Sequence, residues 1–223
     1  STRPGADYIA PEVEITRTAP VIAAIRSGST VPISIDTRKA PVAAAALAAG
    51  ADLVNDVYAF CHDPELAAVT AQSGAPVCLM HAQGDPEVMQ EHPEYENVLL
   101  DVYDFLAARI AVAEAAGIAR TRILVDPGIG FGKSQDHNLA LLHRISLFHA
   151  LGCGVLLGVS RKGFIGRIGQ APAPRDRAPG SIAVALASVA QGVQVLRVHD
   201  IKETKQALAL WQVVSGEGGQ HDA

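Results

Sequence analysis

The sequence predicts an α/β fold in which helices cover a parallel sheet. Six short apolar runs recur along the chain, at 32–36, 52–57, 76–81, 122–126, 154–159 and 193–198. Helical sequence lies between them. The runs end on polar residues: Asp36, Asn55, His81 and Asp126, then Ser160-Arg161-Lys162 and Arg197-Val198-His199-Asp200. Strands that are apolar throughout are buried on both faces, as parallel strands under helices are. Repeated strand–helix units gather the residues at the strand ends on one rim. Periodicity alone leaves a closed barrel and an open sheet as alternatives.

The first helix is predicted over 12–26, with Val13, Ala19 and Ile22 as packing residues and Pro20 as a break or second start. ISID leads into a nearly all-alanine helix over 40–49, stopped by Gly50. DLVNDV leads to a helix over 64–73, with Asp63 as N-cap, Pro64 in the first turn and Gly74 at the end. After VCLMH, the polar stretch 82–95 reads as a long excursion above the strand ends. A helix over 96–116 follows from Val98, Val102, Phe105, Arg109 and Val112 at helical spacing. The remaining units are ILVDPGIGFGK with a helix near 137–151, VLLGVSRKGFIG with a loop over 169–178, a small-residue helix from Gly180 to Ala190, and VQVLRVHD with a helix over 202–214. The tail from Gly216 is expected to fray.

At 223 residues and 49% hydrophobic, the chain suits one well-filled domain over 1–223. A formal net charge of −5 gives no reason to expect nucleic-acid binding. Cys61, Cys78 and Cys153 fit no disulfide or zinc spacing and read as small core hydrophobes in a reducing compartment. With no secretory signal and no apolar run of spanning length, a cytoplasmic location and no membrane partner are expected.

The strand-end residues carry the chemistry. Asp36 is costly to bury unpaired, so it either caps the next helix or accepts hydrogen bonds from a polar ligand. Alternation sends Asn55 and Asp56 to opposite sides, so one faces the rim. Asn55 can donate and accept at a heteroaromatic edge. Asp126 opens DPGIGFGK, where Pro127-Gly128 turns the chain sharply and Gly130 and Gly132 allow close approach. The run is neither a P-loop nor a dinucleotide fingerprint. Phe131 can pack over an aromatic substrate. Lys133 reads equally as a ligand contact and as a solvated loop charge. Lys162 can donate to a ring while its stem packs against it. Arg161 can turn outward into a salt bridge. Arg197 and His199, two apart on the last strand and so on one face, read either as an anion clamp, where a donor to developing charge is worth about 3 kcal/mol, or as an arginine–carboxylate pair beside a packed histidine. His81 with Cys78 and Met80 makes no convincing metal triad, and Ser160 lacks the setting of a hydrolase nucleophile.

Together STRPGA at 1–6, ISIDT at 33–37, NDV at 55–57, CLMHAQGDPEVMQ at 78–90, DPGIGFGK at 126–133, GVSRK at 158–162 and RVHD at 197–200 resemble the dihydropteroate synthase family. The order matches and covers nearly the whole chain. The resemblance implies a (β/α)8 TIM barrel. It implies an enzyme that condenses 6-hydroxymethyl-7,8-dihydropterin pyrophosphate with 4-aminobenzoate, releasing pyrophosphate with Mg2+ assistance in folate biosynthesis. It also implies sulfonamide inhibition and a homodimer formed through helices of the carboxy-terminal half.

By the same resemblance, Asp36, Asn55, Met80, Asp126, Gly158 and Lys162 line the pterin pocket, and Arg197 and His199 hold pyrophosphate. Thr2, Arg3, Pro4, Phe131, Ser160 and Lys162 build the aminobenzoate site. The catalytic set is Asp36, Asp126, Lys162 and Arg197. Family members also carry an earlier loop of the form Asn-Val-Thr-Pro-Asp-Ser-Phe, whose asparagine helps bind metal and phosphate. No such motif stands before Ser1 here. The amino-terminal β/α portion is therefore expected to be absent, no metal ligand is expected in the sequence, and these 223 residues alone are expected not to turn over substrate. The competing readings are a pterin-binding methyltransferase domain and a catalytically silent barrel that serves as a partner protein.

Overall fold

A computed structural model of the chain describes residues 8–84 and 93–216. Six parallel strands stand side by side in chain order: β1 (Ser34–Asp36), β2 (Leu53–Asp56), β3 (Val77–Met80), β4 (Ile123–Asp126), β5 (Gly154–Leu157) and β6 (Val195–Leu196). The order means that every crossover runs the same way around the sheet, giving an incomplete (β/α) barrel of six strands. The helices are α1 (Pro11–Gly28), α2 (Ala40–Ala48), α3 (Glu65–Ser73), α4 (Val98–Ala115), α5 (Gln135–His143), α6 (Gly163–Ile168), α7 (Ala178–Val189) and α8 (Ile201–Val214). α1 packs on α2, α2 on α3, α3 on α4 and α4 on α5, an outer layer in chain order. Among the described residues, no helix is long and apolar enough to cross a membrane.

The two sides of each strand have different work. Ile35, Val54, Val77, Leu79, Ile123, Val125, Val155 and Leu157 belong to the core beneath the helices. The register pairs Asp36 with Asn55, Asn55 with Cys78, and Met80 with Asp126. Side chains alternate along a strand, so these residues share the side opposite the core.

Local chemistry sets the element boundaries. Asp63 serves two helices at once. Its Oδ1 accepts from the Glu65 amide at 3.1 Å in the first turn of α3, and its Oδ2 accepts from the Ala40 amide at 2.7 Å at the start of α2. Asn97 caps α4 by accepting from the amides of Leu99 and Leu100. Lys39, almost fully buried, pairs with Glu14 at 2.7 Å and fastens α1 to α2.

Five expectations are corrected. Val13, expected to pack, is 41% exposed, and Ile22 is the buried residue of α1. Cys61, expected in the core, is exposed, whereas Cys78 and Cys153 are buried. Pro20 does not break α1, which runs on to Gly28. The proline removes the amide that would meet the Thr16 carbonyl, but both residues are exposed, so water can serve that carbonyl. The helix expected near 137–151 divides. α5 ends at His143, Arg144 leaves helical geometry at φ −131°, and Ile145–Leu151 continues as a 3₁₀ helix. The loop expected over 169–178 contains a 3₁₀ turn at Pro174–Arg177, and α7 begins at Ala178 with a proline in its first turn.

Because Asp63 satisfies amides of two helices, Asp63→Ala is expected to lower unfolding free energy by about 1–2 kcal/mol. Asp63→Asn, which keeps an acceptor, should recover most of the loss. Urea titrations in which the alanine variant stays within about 0.5 kcal/mol of the parent would remove the shared cap from the account.

Candidate active site

The site begins with Asp126. It ends β4 on the side away from the helical core and is only 3% exposed. Burial raises its carboxyl above the ordinary range, opposed by the Gly128 amide and then by the charges of Arg197, Lys162 and Lys133. The amide donates to Oδ1 at 2.8 Å. Three cations around one dry carboxylate make a site for a polar ligand edge, because a buried charge must meet donors.

Lys162 follows the turn after β5. Burial is the main reason its ammonium falls to about 8, Asp126 opposing and Arg197 reinforcing the fall. Its Nζ stands 4.1 Å from the centroid of the Phe131 ring, a cation–π arrangement. A Cβ on Gly130 would approach the Lys162 stem to 3.2 Å, so the glycine leaves room for it. Lys162 and Phe131, from separate loops, thus form one wall.

Arg197 follows β6 and reaches across the mouth to Asp36 on β1, with Nη1 donating to Oδ2 at 3.1 Å. The first and last strands are therefore joined over the rim. Desolvation raises the Asp36 carboxyl, opposed first by Arg197 and then by Asn55, whose side chain bonds it. Both partners of the ion pair are 45% exposed, so water screens it and its worth is at most about 1 kcal/mol. Gly158 lies under Arg197: a Cβ there would sit 3.4 Å from the guanidinium Nε. His199 and Ser160 are bonded, Nδ1 to Oγ at 2.9 Å, and the His199 amide also donates to Oγ at 3.2 Å.

Asn55 and Asp56 diverge. Asn55 faces Asp36, whereas Asp56 turns to the helix side and holds the next loop. Its two oxygens accept from the amides of Tyr58 at 2.9 Å and Phe60 at 2.6 Å. Burial lifts the Asp56 carboxyl to about 6 against those bonds. Arg109 on α4 donates to the Ala59 carbonyl at 2.7 Å. Ala59 and Phe60 take positive φ of 48° and 66°, strain that Asp56 and Arg109 hold in place. Met80 lies in register beside Asp126 and is 1% exposed. Arg161 turns outward to pair with Asp200. Thr2, Arg3 and Pro4 lie outside the described residues.

Residue-by-residue reading missed the support beneath the glycine loop. Lys133 is 3% exposed, so it is no solvated charge. Its Nζ lies 2.8 Å from His81 Nδ1 and donates to the Phe131 carbonyl at 3.0 Å. Asn138, which no motif singled out, accepts from the Gly130 amide at 2.6 Å and donates to the Ser134 carbonyl at 2.7 Å. The loop lies hard against the end of β3. A Cβ at Gly128, where φ is +70°, would fall 1.8 Å from the His81 carbonyl oxygen. The sequence signal was present only as spacing: Lys133 is two residues from Phe131, and Asn138 lies in the first turns of the following helix.

The family model described as pterin binding enzyme matches residues 1–199. The dihydropteroate synthase of Neisseria meningitidis serogroup B is 45% identical over 218 residues, covering 96% of this chain and 76% of that protein. The dihydropteroate synthase of Yersinia pestis, solved with a sulfonamide drug complex, superposes with TM-score 0.92 at 40% identity, covering 97% of this chain and 78% of that one. The enzyme of Xanthomonas albilineans in complex with 7,8-dihydropteroate superposes with TM-score 0.87 at 40% identity, covering 94% and 78%. None of these three relatives is described as a methyltransferase or as a silent partner protein. A shared sequence across nearly all of this chain and a shared backbone place it among the dihydropteroate synthases, within the family of pterin binding enzymes.

Proposed function

We propose that the rim at the strand ends holds a dihydropterin over Asp126, its pyrophosphate toward Arg197 and His199, and 4-aminobenzoate against Phe131 and Lys162. The chain is an enzyme of dihydropteroate synthesis, joining 6-hydroxymethyl-7,8-dihydropterin pyrophosphate to 4-aminobenzoate with release of pyrophosphate. The observation that carries the assignment of roles is one buried carboxylate, Asp126, facing the charges of Lys162 and Arg197.

The chemistry follows from charge placement. The methylene carbon that bears pyrophosphate is conjugated to the pterin ring. As its C–O bond breaks, positive charge spreads into the ring and negative charge grows on the leaving oxygens. Asp126 and Asp36 favour the cationic ring, and Arg197 and His199 favour the departing anion. Arg197 is free to move to a phosphate, since its exposed pair with Asp36 is weak. The arylamine nitrogen then bonds to the carbon and loses its proton. It needs placement more than a strong base. Asn55, Met80 and Gly158 line the ring, and Ser160 orients His199. Thr2, Arg3 and Pro4 are assigned to the aminobenzoate side on the family resemblance alone.

Mg2+ rests on that resemblance too. Among the described residues no three His, Cys, Asp or Glu side chains converge to hold a metal ion, so no step here runs through one. Sulfonamide sensitivity, a cytoplasmic location and a homodimer complete the proposal. α8 exposes Leu210, Val213 and Val214, an apolar face for such a dimer. A monomeric mass by light scattering of the full-length enzyme would remove the dimer from it.

Two further outcomes test the roles. Arg197→Ala should lower kcat/KM for the pyrophosphate substrate about a hundredfold, the worth of one donor to developing charge. Calorimetric affinity for the pterin alcohol, which lacks pyrophosphate, should change less than threefold. Equal losses would refute the division between ring and anion sites. A ligand that favours the Lys162 cation should bind less tightly as pH rises through about 8 and the proton leaves. Lys162→Arg stays charged there and should give a flat profile. A parent profile equally flat from pH 7 to about 9.5 would sink the cation's role.

A further inference from the structure

We infer that Lys133 and His81 form a buried positioning pair that sets Phe131, and through it the site for the arylamine. The inference rests on the proposed place of Phe131 beside 4-aminobenzoate and adds what fixes it there.

The geometry makes the pair more than packing. Lys133 and His81 are 3% and 6% exposed. If the lysine only filled space, a methionine would serve without the cost of bringing an amine out of water. Instead, its Nζ meets His81 Nδ1 at 2.8 Å and the Phe131 carbonyl at 3.0 Å, with the His81 carbonyl at 3.5 Å. The amine therefore binds the end of β3 to the residue whose ring faces Lys162. The His81 ring also packs edge to face with the Phe105 ring, with centroids 4.8 Å apart. Asn138 clamps the amide of Gly130, the residue before Phe131, at 2.6 Å. Phe131 is thus fastened on both flanks, by its own carbonyl and through its neighbour's amide.

Protonation agrees with this arrangement. Burial, with Lys133 beside it, brings His81 down to about 3, so its ring is neutral and Nδ1 accepts. Burial brings Lys133 down to about 7 while Asp126 opposes the fall, and the amine donates in either protonation state. The charge of Lys133 also reaches Asp126, but there it ranks behind the Gly128 amide, Arg197 and Lys162. Removing it should therefore disturb the arylamine side more than the pterin side.

The test is steady-state kinetics of the full-length enzyme, with both substrates varied. Lys133→Met and His81→Leu should raise KM for 4-aminobenzoate about tenfold, while KM for the pterin pyrophosphate stays within about twofold. His81→Asn, which keeps an acceptor near the Nδ1 position, should restore most of the loss. A purely structural role would lower active enzyme concentration and leave both KM values alone, and that result would overturn the inference. So would equal rises for both substrates. If Lys133→Met does not fold, the contrast between His81→Leu and His81→Asn decides. Phe131→Leu separates the two levels. A selective rise in KM for 4-aminobenzoate there, without one in the Lys133 and His81 variants, ends the positioning role alone. No selective rise in Phe131→Leu ends both it and the assignment beneath it.

Discussion

The site depends on keeping an aspartate dry. Asp126 stands at the end of a central strand, flanked on one side by Met80 in register and closed from water. A carboxylate there is tolerable only if donors reach it. One donor is local, the Gly128 amide. Its charged neighbours come from three later positions: Lys133 in the same loop, Lys162 after β5 and Arg197 after β6. Parallel strands of matched register end at one level, so residues far apart in sequence become neighbours around the same charge. The arrangement that compensates the buried aspartate also meets a flat heterocycle carrying an anionic leaving group.

The loops around this carboxylate are held by bonds from outside them. Asp56 and Arg109 hold Ala59 and Phe60 in left-handed geometry. Ser160 holds His199, and Arg161 is drawn away from the mouth by Asp200 and by the Ser181 hydroxyl that accepts from its amide. Loops fixed in this way present side chains with little freedom left to lose on binding a ligand. The exception is Arg197, whose pair with Asp36 is open to water and easily exchanged.

Much of this was legible beforehand. Six apolar runs marked the six strands because buried parallel strands tolerate little polarity, and a polar residue at the end of such a run stands out against it. Asp36, Asn55, Asp126, Lys162 and Arg197 were all visible for that reason. Lys133 was left evenly balanced between a ligand contact and a solvated charge, because its burial depends on His81, 52 residues earlier. Pro20 misled because whether a proline breaks a helix depends on where the orphaned carbonyl points. The division of the helix after His143 carried no proline or glycine to announce it.

What the sequence alone determined is the set of strands, the order of units and the kinds of group at each strand end, since these follow from local patterns of apolar and polar residues. Tertiary structure decided which of those groups meet and in what state. It turned Asn55 toward Asp36 and Asp56 away, sent Arg197 across to the first strand and buried Lys133 against His81. Contacts between residues 52 to 161 positions apart leave no periodic trace, and the water they exclude is a property of the assembled rim.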